Sequence, residues 1–293
     1  MSKFRGTGVA LITPFDSEHN IDFNGLEKLV NHCLDNGVDY LVVMGTTGEN
    51  ATLNSAEKQE VLKFVQKVNN GRKPIVYGIG GNNTRALVET IKSTDLNGID
   101  AILSVSPYYN KPTQEGIYQH FKTICEASPV PVILYNVPGR TSSNMSAATT
   151  LRLANDFDNV IAVKEASGDM EQVMKIINER PEGFYVISGD DNLTLPMIAC
   201  GGDGVISVSG QGFPKAFTAM VNNALDGNFE KARVDHYRLF EVTKMLFAEG
   251  NPGGIKASLK HQNICEEHMR QPLWMISEGL RADIKKEMDR NSL

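Results

Sequence analysis

The chain has 293 residues, 41% hydrophobic and 22% charged, with 29 Lys and Arg against 35 Asp and Glu for a net charge of -6. This acidic balance, without a basic stripe or Arg/Lys-rich arm, argues against nucleic acid as the main partner, and no apolar stretch is long enough to span a membrane. Four dispersed cysteines (Cys33, Cys125, Cys200, Cys265) read as reduced thiols of a cytoplasmic protein, and six histidines form no cluster with metal-ligand spacing, so no metal is expected.

The segment Met1-Ser2-Lys3-Phe4-Arg5-Gly6 leads into an apolar run too short for a secretion signal, ending at Thr13-Pro14. Short apolar runs then recur at a steady beat. They predict strands over Val9–Thr13, Tyr40–Met44, Ile75–Gly78, Ala101–Val105, Val130–Tyr135, Val160–Lys164, Phe184–Ser188 and Gly204–Ser207. Helical patterns separate them, among them Phe23–Asn36, Ser55–Val68, Thr84–Asn97 and Gln114–Ala127. Asn54-Ser55-Ala56-Glu57 supplies a helix cap with an acid in the first turn. Parallel neighbours need a crossover, normally a helix, so this alternation means a parallel sheet. Eight units within residues 1–225 fit a closed (β/α)8 TIM barrel. A doubly wound open sheet is the alternative, but it usually carries a glycine fingerprint after its first strand, and Ile12-Thr13-Pro14-Phe15 is none.

Beyond Leu225 only helices are expected, over Phe229–Leu246, Gly254–Gln262 and Trp274–Arg290, with Asn251-Pro252-Gly253-Gly254 as a break. Residues 226–293 therefore read as a C-terminal helical appendage on a catalytic barrel.

In a barrel of this kind the C-terminal ends of the strands share one face, where active sites form. The second strand delivers Gly45-Thr46-Thr47-Gly48-Glu49, the fourth Tyr108-Tyr109, the fifth Tyr135 and then Arg140, the sixth Lys164. A lysine at the tip of a buried strand either reaches solvent or is desolvated. In the second case burial lowers its pKa and frees the amine to form a Schiff base. Gly-Thr-Thr-Gly suits a carboxylate, or is simply a tight turn with threonine caps. Tyr135 can relay protons beside Lys164, or be a core tyrosine with a satisfied hydroxyl. Arg140, on a loop held by Pro138 and Gly139, offers a fork for a second carboxylate, or is solvated. Asp190 and Asp191 read as helix-entrance caps and Asp203 as turn chemistry.

Four motifs in order carry a closer likeness: Gly45-Thr46-Thr47-Gly48-Glu49, Ser106-Pro107-Tyr108-Tyr109-Asn110, Leu134-Tyr135-Asn136-Val137-Pro138-Gly139-Arg140-Thr141 and Val163-Lys164-Glu165-Ala166. With them the chain resembles the dihydrodipicolinate synthase family of pyruvate-dependent class I aldolases, a group that also contains N-acetylneuraminate lyase. The resemblance implies condensation of pyruvate with L-aspartate 4-semialdehyde, the first committed step of the diaminopimelate route to lysine, without metal or organic cofactor. It implies that Lys164 holds pyruvate as an imine and that Thr46 and Thr47 hold its carboxylate. Tyr135, Thr46 and Tyr109 form a proton relay, Tyr109 reaching a neighbouring subunit of a tight dimer. Arg140 receives the second substrate, and Ile206 and Gly189 line the pyruvate pocket. The rival activity within the group is aldol cleavage of N-acetylneuraminate or a related 2-keto acid. Thr46 in place of serine, and the presence of Arg140, favour condensation. A third reading is a non-catalytic keto-acid-binding barrel, against which the complete set of Lys164, Tyr135, Thr46 and Tyr109 argues.

The resemblance also implies an effector pocket for lysine at the dimer interface, around Asn82 and Tyr108. Lys58 and Ala86 stand there in place of the histidine and glutamate of inhibitable enteric enzymes. A cationic Lys58 repels a lysine effector and Ala86 cannot pair with its ammonium, so weak inhibition is expected. The glycine pair Gly253-Gly254, where relatives often have a second proline, leaves dimer against tetramer open.

Overall fold

The computed structural model describes residues 3–293; Met1 and Ser2 of the N-terminal stretch lie outside the described residues. Eight parallel strands close into a barrel in chain order: β1 Gly6–Ala10, β2 Tyr40–Val43, β3 Ile75–Gly78, β4 Ala101–Val105, β5 Val132–Asn136, β6 Val160–Glu165, β7 Tyr185–Ser188 and β8 Gly204–Ser207. The ring closes where Gly6–Val9 pairs with Gly204–Ser207. With no free edge and helices outside, the strands are buried on both sides, which is why they read as continuous apolar runs.

Strand alternation splits the core into two layers. Val42, Val76, Ile133, Ala162 and Ile187 point into the barrel, in one cluster with Tyr135. Val9, Leu41, Val43, Leu134 and Val163 point outward against the helices. Each aliphatic side chain buried in this way contributes about 1.5–3 kcal/mol.

Several boundaries differ from expectation, each for a local reason. β1 starts at Gly6 rather than Val9, because the Gly6 amide donates to the Asp203 carbonyl (3.0 Å) and extends the β1–β8 ladder. It stops at Ala10 because the Ile12 amide turns to the Gln211 side chain at 2.9 Å. β5 begins at Val132, since Val130 is held in a turn by the Ser128 hydroxyl and Pro131 has no amide to donate. The helix from Thr84 ends at Ser93, four residues short of Asn97. The Thr94 hydroxyl donates to the Thr90 carbonyl at 2.7 Å and its backbone is extended. The last helix, Glu278–Asn291, starts after Trp274 because Ser277 caps it through the Leu280 amide.

The tail helices Phe229–Phe247 and Gly253–His261 lie against the barrel, the first packing on Pro214–Leu225. The glycine pair has a clear role in their junction. A Cβ on Gly254 would stand 2.4 Å from the Leu246 carbonyl oxygen, so only glycine lets the two helices approach so closely. Among the described residues, no helix is long and apolar enough to cross a membrane.

Candidate active site

The strand register sets Lys164 level with Tyr135 on the neighbouring strand. Lys164 is 6% exposed, and its Nζ stands 4.4 Å from the centroid of the Tyr135 ring. The next residue points the other way and anchors the strand end. The buried Glu165 carboxylate accepts from Asn136 Nδ2 (3.1 Å), Gln172 Nε2 (2.9 Å) and the Ser167 amide (2.8 Å). Burial still pushes its pKa up against these donors. Gly189, at the end of β7, leaves the space the lysine occupies: a Cβ there would lie 2.9 Å from Lys164 Cε.

After β2 the chain reverses through a 3-10 turn, Thr46–Gly48, with the Gly48 and Glu49 amides donating to the Gly45 and Thr46 carbonyls. Thr13 Oγ1 donates to the Gly48 carbonyl at 2.7 Å and holds the turn over the end of β1. Arg140 stands in a short helical turn, Pro138–Thr141, rather than in an open loop.

These residues surround one cavity of about 560 Å³, lined by Thr46, Thr47, Tyr135, Arg140, Lys164 and Gly189. Its charged lining comprises Lys164, Arg140 and Lys244 against the single carboxylate of Asp190, so it suits an anion. Burial raises the pKa of Asp190. A small carboxylate entering between the threonine turn and Lys164 meets hydroxyl donors on one side and an amine on the other.

The expected site residues divide. Gly189 lines the cavity, whereas Ile206 is packed in the inner barrel layer with Tyr135 and Ile187. Tyr109 is 89% exposed with a left-handed φ of 72° and does not line the cavity. Asn82 Nδ2 donates to the Tyr108 carbonyl (3.1 Å), joining two expected effector residues. Lys58 is half-buried, which lowers its pKa, and Ala86 is exposed.

The tail supplies a wall that sequence reasoning assigned to packing: Thr243, Lys244, Phe247 and Asn251. Asn251 Nδ2 donates to Thr47 Oγ1 at 2.9 Å across 204 residues of chain. An asparagine before Pro252 read as a break, and its side-chain target had no local signal. Asp191 does more than cap its turn. It is buried and accepts from the amides of Val208 (3.1 Å) and Ser209 (2.8 Å), tying the loop after β7 to the loop after β8. Asp203 takes the Val186 amide at 2.8 Å and pairs with Arg180, so it is more than turn chemistry. Among the described residues, no group of three or more His, Cys, Asp or Glu side chains is placed to hold a metal ion.

The model of the dihydrodipicolinate synthetase family matches residues 3–291. The chain belongs to that family. A 4-hydroxy-tetrahydrodipicolinate synthase of Flavobacterium psychrophilum is 54% identical over 280 residues, covering 96% of both chains. One of Parabacteroides distasonis is 52% identical over 269 residues, 92% of this chain and 91% of that one. The fold matches the crystal structure of a dihydrodipicolinate synthase from Thermotoga maritima with a TM-score of 0.97 at 37% identity, covering 99% of each chain. For a dihydrodipicolinate synthetase family member, the anion-suited cavity and its buried lysine acquire a definite chemical context.

Proposed function

We propose that this chain is a 4-hydroxy-tetrahydrodipicolinate synthase, a lyase that condenses pyruvate with L-aspartate 4-semialdehyde. The observation that carries the reading is Lys164, nearly buried in an anion-suited cavity at the register level of Tyr135. The Lys164 amine adds to the pyruvate ketone and water leaves, giving an imine. Thr46 and Thr47 hold the pyruvate carboxylate. The imine draws electrons, so the methyl group loses a proton and becomes an enamine carbon. That carbon attacks the aldehyde of the second substrate, and the new alkoxide takes a proton through Tyr135, Thr46 and Tyr109. The substrate amine then adds to the imine carbon and expels the Lys164 amine, which closes the ring and regenerates the enzyme. The Lys164 imine serves as the electron sink for loss of the methyl proton, so the sequence of steps calls for no metal or organic cofactor.

Arg140, exposed at the cavity mouth, receives the carboxylate of the semialdehyde. The outward Tyr109, a large ring left 89% exposed away from its own cavity, supports a homo-oligomer in which this tyrosine completes a neighbour's relay. In this reading residues 1–225 form the catalytic barrel and residues 226–293 a tail that walls its site. A dihydrodipicolinate synthase from Cyanidioschyzon merolae has been solved with lysine bound. We infer weak lysine inhibition here from Lys58 and Ala86; half-inhibition at sub-millimolar lysine refutes it.

A coupled assay with pyruvate and L-aspartate 4-semialdehyde, run beside an N-acetylneuraminate cleavage assay, tests the reading. Condensation in the wild type, and its loss in Lys164→Ala, is the expected result. Cleavage without condensation overturns it.

A further inference from the structure

A second contact runs parallel to the Asn251–Thr47 hydrogen bond and lies outside the cavity. Lys256 Nζ donates to Glu49 Oε1 at 2.5 Å, with both side chains fully buried. Glu49 is two residues beyond Thr47, and Lys256 is five beyond Asn251, so the same two segments are joined twice. Glu49 sits between two 3-10 turns with a left-handed backbone (φ 54°, ψ 35°), a conformation that costs a non-glycine residue energy and needs its surroundings to hold it. Its other oxygen accepts the Arg270 amide at 3.1 Å, and Lys256 also donates to the His268 carbonyl at 2.7 Å. Lys256 Nζ and the Arg270 guanidinium stand 4.5 and 4.7 Å from the centroid of the Phe15 ring.

A buried ion pair of this kind is a poor source of net stability, because apolar side chains of similar volume often do as well. What it supplies is a fixed geometry: removing either partner leaves a buried charge, so the two segments stay in one register. Neither residue lines the cavity, but the segments they join each carry a residue that does, Thr47 and Asn251.

We propose that Glu49 and Lys256 are positioning residues that hold the Thr46–Thr47 turn at the height where it meets the carboxylate of a 2-keto acid, an inference that rests on the pyruvate site proposed above. With the turn in place, Thr47 accepts from Asn251 and keeps its own hydroxyl proton for the substrate. A displacement of the turn by a fraction of an ångström lengthens the hydrogen bonds to the carboxylate and so weakens the binding of pyruvate.

The test uses Glu49→Asp, which keeps both charges but shortens the reach, and the double variant Glu49→Gln with Lys256→Met, which leaves no buried charge. Both are expected to raise the pyruvate KM about tenfold or more while kcat at saturating pyruvate stays within about threefold. The double variant is expected to melt near the wild type. Wild-type pyruvate KM in either folded variant overturns the proposal, as does a loss confined to kcat. Borohydride trapping with pyruvate on the wild type separates the two readings. No adduct at Lys164 sinks the proposed function itself, whereas an adduct with unchanged KM in the variants sinks only the positioning role.

Discussion

Lys164 and Tyr135 face each other across β6 and β5, the lysine nitrogen 4.4 Å from the centroid of the tyrosine ring. The ring packs beside the lysine nitrogen at cation–π distance and forms one wall of its setting. The phenol hydroxyl is a separate asset, since it can pass protons to the reacting carbonyl. Tyr135→Phe keeps the ring and removes the hydroxyl. Borohydride should still trap pyruvate on Lys164 in that variant, while turnover falls by roughly 10²–10⁴. Undiminished turnover would remove Tyr135 from the relay.

Gly189 sets the room for the nucleophile. A methyl group there would lie 2.7 Å from the Ala166 Cβ and 2.9 Å from Lys164 Cε, so the lysine must move. Gly189→Ala is expected to lower the rate of imine formation at least tenfold at constant pyruvate, since small misplacements of a reacting group carry large rate penalties. Stopped trapping with borohydride over time measures that rate, and a wild-type value contradicts the steric account.

The Asn251–Thr47 hydrogen bond joins barrel and tail inside the site. A double-mutant cycle with Asn251→Ala and Thr47→Val, read by urea unfolding, should return a coupling of about 1 kcal/mol. A coupling near zero would mean that the contact contributes nothing to holding the turn.

His120 sets a pH dependence remote from catalysis. Its ring is buried on the helix Gln114–Ala127, with Nδ1 2.8 Å from Thr84 Oγ1, and burial lowers its pKa from 6.5 to about 4. Between those values the unfolded chain binds the proton and the folded chain does not, so stability is full above pH 6.5 and falls as the pH drops toward 4. The loss from pH 6.5 to 5 should be about 1.5 kcal/mol. Urea unfolding of wild type and His120→Gln at the two pH values checks this. Equal pH dependence in both proteins removes His120 as the cause.

The strand-end residues were legible because barrel topology converts chain order into spatial order. Tyr135 and Lys164 close adjacent strands, so naming the strands was enough to bring them together. The strand boundaries were less legible at β1, where Gly6-Thr7-Gly8 resembles a turn. Gly8 in fact makes room for the Tyr40 ring, which a Cβ would meet at 2.1 Å. The Glu49–Lys256 pair had no sequence signal at all, since 207 residues separate its members.

By itself, then, the sequence determined the alternation of strands and helices, the closed barrel that follows from it, and the cluster of lysine, tyrosine and threonines at one rim. Those features rest on periodicity and on residue types at strand ends, which are local properties of the chain. Only the tertiary structure decided that the tail enters the site through Asn251, that Lys256 is bound to a carboxylate while Lys164 faces the cavity, and that Tyr109 points away from its own barrel. Each of these depends on contacts between distant segments, whose pairing is set by packing of the whole molecule rather than by any pattern along it.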